Sequence, residues 1–150
     1  VIYTMFYAGL RVSECVNLKV EDVDLEKRVI KVIAGKGNKN RNIPICDKLH
    51  EKLEDYIIWR SESDFFFATK KTGTFSKVRI EAIIRDTRKE LGLEKQVTPH
   101  TFRHSFASRL VSKDVNIVSI SKLLGHSDIK VTSIYTHTDM SQLQQAVNQM

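Results

Sequence analysis

The sequence predicts an α+β fold, mostly helical, with one small antiparallel sheet and a hairpin. Apolar residues recur at helical spacing along most of the chain, whereas a single stretch near residues 28–45 alternates charged and β-branched residues. Turn chemistry divides that stretch in two, which segregates strands from helices. With 150 residues, 41% of them hydrophobic, the chain can bury one continuous core.

The apolar run Val1 to Ala8 reads as the end of a helix broken at Gly9, and Ser13 is a plausible N-cap for a short helix through Asn17. Arg11 then sits at the bend between them. Arg28 to Ala34 reads as a strand and Arg41 to Ile45 as its partner, with Pro44 suited to an edge position. Between them Gly35-Lys36-Gly37-Asn38-Lys39-Asn40 places Lys36 on a hairpin tip. Asp47 can cap a helix carrying Leu49, Leu53, Tyr56 and Ile57. Ser76 opens another with Val78, Ile80, Ile83, Ile84 and Leu91, stopping at Gly92. Both read as scaffold. Phe65-Phe66-Phe67 is a short buried strand or turn. Thr98 and Pro99 are the N-cap and first turn of a helix that presents His100, Arg103 and His104 on one face. Asn116 to Leu124 forms a helix ending at Gly125, Ser127 or Asp128 caps the next, and Tyr135 lies near its end. A last amphipathic helix runs from about Asp139 to Met150.

A net charge of +6 and a pI near 9.4 favour a polyanionic partner, and the basic excess is larger in the second half. No apolar run approaches the roughly 18 to 20 residues of a membrane span, and no signal peptide is recognisable. Charge alone does not choose between nucleic acid and an anionic membrane surface, but no membrane span is expected, and the protein is expected in the cytoplasm. Cys15 and Cys46 lack metal or redox spacing and read as reduced core residues. Val1 stands inside an apolar run without a cap, as expected of a piece of a longer protein.

Cleaving a phosphodiester by substitution needs a nucleophile, cations on the non-bridging oxygens, an acid for the leaving oxygen and an acceptor for the nucleophile's proton. This chain has residues for all four. Arg11 and Arg103 suit the phosphate, because a guanidinium makes two charge-assisted hydrogen bonds and keeps its charge. A free tyrosine titrates near pH 10, so Tyr135 needs a nearby base or cations to act as a nucleophile. No Walker loop, carboxylate cluster or His-Glu-x-x-His is present, and no cofactor or metal is expected. His100 and His104 lack an evident third zinc ligand. Glu14 reads as a partner for a basic group or a guide for Arg11. Arg41 could pin the hairpin or touch phosphate. Trp59 reads as core or partner surface.

Four motifs occur in one order: Gly9-Leu10-Arg11-Val12-Ser13-Glu14, the hairpin through Arg41, His100-Thr101-Phe102-Arg103-His104, and Leu124-Gly125-His126-Ser127 followed by Tyr135 nine positions after His126. Together they resemble the tyrosine recombinases, the phage-integrase family, and most closely its Xer-like branch. The resemblance implies a catalytic domain over residues 1–150, truncated at its N-terminus, with the family's N-terminal core-binding domain outside this chain. It implies that Arg11 and Arg103 bind the scissile phosphate, Lys36 protonates the departing 5′ oxygen, His100 assists proton transfer, His126 hydrogen-bonds a phosphate oxygen, and Tyr135 attacks. Lys39 and Arg41 are further candidates for DNA contact. The implied partners are double-stranded DNA and other protomers in a DNA-bound tetramer, with residues 139–150 a candidate for that interface. Two other readings fit parts of the pattern: a strand-nicking topoisomerase, and a non-catalytic regulator in which residues 116–135 form a helix-turn-helix.

Overall fold

A computed structural model of the chain describes residues 1–33, 40–125 and 140–148. The expected hairpin tip with Lys36 and Lys39, the segment with His126, Ser127, Asp128 and Tyr135, and the ends of the last helix lie outside the described residues.

Helix α1 (Ile2–Tyr7) is followed by α2 (Val12–Val16), a 3₁₀ turn at Val20–Asp22, and a three-stranded antiparallel sheet of β1 (Val23–Asp24), β2 (Val29–Val32) and β3 (Arg41–Pro44) in that spatial order. Five helices complete it: α3 (Asp47–Trp59), α4 (Lys77–Glu90), α5 (Pro99–Val111), α6 (Ile117–Leu124) and α7 (Met140–Asn148). The α+β expectation holds. The sheet is wider than expected, since β1 pairs Val23 with Ile30, an interaction too short to leave a sequence pattern.

In the β2–β3 ladder Ile30 faces Ile43 and Val32 faces Arg41. Alternation sends Ile30, Val32 and Ile43 into the core while Lys31 stays in water. Strand β2 starts one residue later than the expected Arg28, because Arg28 has φ +53° and belongs to the turn. Pro44 ends β3, which has one neighbour among the described strands, so its missing N–H leaves the ladder intact.

Helix ends follow local chemistry. The Ser76 hydroxyl accepts from the Arg79 N–H (3.1 Å) and the Asn116 amide oxygen from the Val118 N–H (2.8 Å). Pro99 opens α5 after Thr98, and Gly125 closes α6 in the left-handed region at φ +66°. Two expected caps are corrected. The N-cap of α2 is Arg11 rather than Ser13, because Glu14 at the third helical position takes the Arg11 backbone N–H (2.7 Å). Cys46 rather than Asp47 is the N-cap of α3, where Asp47 stands in the first turn and bonds the Arg28 guanidinium.

The core joins Met5, Leu10, Ile30, Ile43, Leu49, Phe66, Phe106, Leu110, Ile120 and Leu123. Leu49 and Leu53 of α3 and Ile80 and Ile84 of α4 are buried, whereas Ile57, Val78 and Leu91 are exposed. In α3 each step of four residues rotates the side chain by about 40°, so Ile57 has drifted off the Leu49 face. Phe66 and Phe67 are buried as expected, and Cys15 and Cys46 are reduced and buried. Burial pushes the Cys15 thiol up to about 12. Helix α7 seats Leu143, Ala146 and Val147 against its own domain, and the Gln144 amide donates to the Ile45 carbonyl (3.0 Å). Leu143, Ala146 and Val147, part of the face expected to be available to a neighbouring protomer, are thus covered within the chain. Among the described residues, no helix is long and apolar enough to cross a membrane.

Candidate active site

Arginines from three separate elements converge on the Glu14 carboxylate. Arg41, the first residue of β3, forks onto it with both terminal nitrogens at 2.9 Å, and Arg11 adds its backbone N–H and one terminal nitrogen (3.1 Å). Arg103 of α5 brings a terminal nitrogen to 3.9 Å. Burial pushes the Glu14 carboxyl up, but the hydrogen bonds from Arg41 and Arg11 and their charges outweigh it, so its pKa lies below the ordinary value.

Arg103 is 8% exposed and turns inward, donating to the backbone carbonyls of Gly9 and Leu124. Gly9 is required at that position. Its φ is +65°, and a Cβ would lie 2.6 Å from Phe106 Cδ1, so a side chain would drive the α1–α2 bend away from α5. Burial and then the charge of Arg11 lower the Arg103 pKa to about 10, which leaves it cationic at neutral pH. Two buried guanidinia held near one carboxylate leave an excess of positive charge in a low-dielectric setting, and an incoming anion would be attracted strongly.

The three α5 residues expected on one face divide. Arg103 is buried, while His100 and His104 are exposed and the His104 Nε2 is 3.4 Å from Ser108 Oγ. Adjacent helical positions differ by about 100°, so Arg103 points inward where its neighbour points to water. His100 stands at the rim of a groove of about 610 Å³ between the start of α2, α4 and the start of α5, lined also by Val12, Lys77, Glu81, Arg85 and Arg88. This basic rim on α4 was not anticipated. Its signal was available, since positions 77, 81, 85 and 88 follow helical spacing along one face.

Of the two roles open for Arg41, the geometry is that of a pin. Its side chain is 8% exposed, and its Nε also donates to the Leu123 carbonyl (2.8 Å). Arg11 remains 31% exposed, in contact with solvent where a phosphate could approach. Among the described residues no group of three His, Cys, Asp or Glu side chains could hold a metal ion.

The sequence profile of the phage integrase family matches residues 1–142. The chain belongs to the phage integrase family. As a phage-integrase member it is 39% identical over 151 residues to a tyrosine recombinase of Pseudothermotoga lettingae, covering 97% of this chain and 51% of that protein. It is 38% identical to the tyrosine recombinase XerA of Pyrococcus horikoshii, covering 98% and 52%. The chain therefore spans about half the length of the curated relatives it matches. A crystal structure of the XerA recombinase superposes with a TM-score of 0.77 at 35% identity, covering 98% of this chain and 55% of that one. The XerH site-specific recombinase bound to its difH substrate before cleavage superposes at 0.70 with 26% identity, covering 94% and 42%. These relatives place the integrase chain on the Xer-like branch and its fold among recombinase catalytic domains.

Proposed function

We propose that this chain is the catalytic domain of a site-specific DNA recombinase or integrase that cleaves and rejoins strands through a 3′-phosphotyrosyl link on Tyr135. The observation that carries the reading is the convergence of Arg11 and Arg103, from distant parts of the chain, on Glu14, with a groove lined by both His100 and Val12, the residue next to Arg11. Family membership and the DNA-bound XerH neighbour support DNA as the partner.

In the proposed reaction a duplex lies along the groove, and its scissile phosphate reaches Arg11 and Arg103. The Tyr135 oxygen attacks phosphorus, its proton passes to His100, and the bond to the 5′ oxygen breaks as that oxygen takes a proton from Lys36. His126 would hydrogen-bond a non-bridging oxygen. The guanidinia stabilise charge that grows on the phosphate in the transition state. A phosphate ester replaces a phosphate ester, so rejoining is the reverse step and needs no ATP. Strand exchange requires protomers assembled on DNA as a tetramer. Residues 139–150 remain the candidate for that interface, and Leu143 and Val147, buried against their own domain, could join it only by leaving that seat. We place the protein in the cytoplasm in association with DNA.

The test incubates the full-length parent with a nicked suicide duplex. A covalent adduct is expected, and Tyr135→Phe removes it while DNA binding persists. An adduct that survives in Tyr135→Phe sinks the assignment. Products joined between two duplexes distinguish a recombinase from a topoisomerase, which reseals its own strand.

A further inference from the structure

Arg41 binds two parts of the site that the sequence does not connect. Its terminal nitrogens grip Glu14, which orients Arg11, and its Nε grips the Leu123 carbonyl at the end of α6. The next carbonyl, Leu124, accepts from Arg103. A helix leaves its last carbonyls without partners and carries partial negative charge at that end. Here two buried guanidinia satisfy successive carbonyls of α6, immediately before the residue pair Gly125-His126. The packing is close enough that a Cβ on Gly125 would lie 2.8 Å from Arg41 Nη1 and 3.0 Å from its Cδ. Arg41 also opens β3, the strand that follows residues 34–39, where Lys36 lies.

We infer that Arg41 is a positioning residue for strand cleavage: it fixes the end of α6, from which His126 follows, at a set distance from the Glu14–Arg11 pair, without itself touching the phosphate. The inference rests on the proposed function. Its geometry suits arginine alone, because the span from two carboxylate oxygens to a backbone carbonyl needs three N–H directions in one plane. A lysine offers a single point charge on a flexible stem. Misplacing a reacting group by about 1 Å costs on the order of a hundredfold in rate, so a small shift of α6 would be visible in the chemistry.

The test uses the full-length parent, its Arg41→Gln and Arg41→Lys variants, and the nicked suicide duplex under single-turnover conditions. Both variants are expected to bind the duplex within about threefold of the parent, while the rate constant for adduct formation at saturating DNA falls about a hundredfold. Lysine should not restore the rate. A merely structural role would lower the melting temperature and the fraction of molecules that react, leaving the rate constant of the reacting molecules unchanged. A rate constant within about threefold of the parent in the folded variants overturns the inference. Should Arg41→Gln fail to fold, Arg41→Lys, which keeps a buried cation against Glu14, decides alone. A parent that forms no adduct at all refutes the recombinase reading itself, and the positioning role falls with it.

Discussion

Replacing Glu14 by glutamine tests whether the arginine cluster depends on one carboxylate. The substitution keeps the shape of the side chain but removes its charge and turns one acceptor oxygen into a donor. In the native chain that carboxylate accepts four hydrogen bonds, two from Arg11 and two from Arg41, with Arg103 3.9 Å away. Glutamine can serve one oxygen's donors only, and its NH₂ then faces the N–H groups that remain. Breaking a buried ion pair by removing one partner typically costs 3–5 kcal/mol, and the near-complete burial of Arg41 puts this site in that class; about 3 kcal/mol is expected. For a domain of this size that corresponds to a fall in Tm of roughly 6–12 °C. The pH dependence supplies an independent check. The folded pKa of Glu14 lies below its unfolded value, so between the two the unfolded chain binds more protons and stability rises with pH. The stabilisation is fully present above the ordinary carboxylate range near pH 4.3 and is lost as pH falls through the lowered folded value. Urea titrations of wild type and Glu14→Gln from acid to neutral pH should therefore converge in acid and separate above it. A difference below about 1 kcal/mol at neutral pH, or one that does not shrink in acid, would refute the charge-hub account.

Gly9→Ala should cost about 3 kcal/mol in urea denaturation, through a left-handed backbone and a Cβ driven into the Phe106 ring; a loss under about 1 kcal/mol would mean that the bend relaxes freely. The Cys15 thiol, buried and pushed up to about 12, should resist a disulfide reagent at neutral pH in the folded chain and react once urea unfolds it; rapid labelling of the native chain at Cys15 would contradict the packing. Trp59, the one tryptophan, is 83% exposed, so its fluorescence should be that of indole in water and readily quenched by iodide, and Trp59→Ser should change stability by less than about 0.5 kcal/mol.

Much of the fold could be read from local signals. Ser76, the Thr98-Pro99 pair, Asn116 and Gly125 each mark a helix end by a hydrogen bond or a backbone angle that the residue itself determines. Such signals act over one turn. The two-residue strand β1 and the cap at Cys46 escaped because tertiary partners decided them, the Arg28–Asp47 pair drawing Asp47 away from the cap. The cap at Arg11 is local, but arginine is not a residue whose own side chain signals an N-cap, and it is Glu14, three positions on, that closes the turn. At the site, Arg11, His100 and Arg103 are named by their motifs, and the sequence also suggests that Glu14 has a basic partner. It could not say that this partner is Arg41, because the pairing joins residues from different elements through space. Nor could it say that Arg103 turns inward to two carbonyls, since helical periodicity groups it with His100 and His104 and is silent on which side the core lies.

The contacts that assemble the arginine cluster also govern when it can form. Arg41 reaches Leu123 across 82 positions, Arg103 reaches Gly9 across 94, and Gln144 closes on Ile45 across 99. Loop closure must precede the reward of such pairings, which makes them slow to form. A nascent chain emerging from the ribosome therefore carries Arg11 and Glu14 long before α5 and α6 exist to complete their surroundings. The cation cluster can be completed only once the chain has been made through Leu124, so shorter nascent chains lack Arg103 or the carbonyls that Arg41 and Arg103 hold.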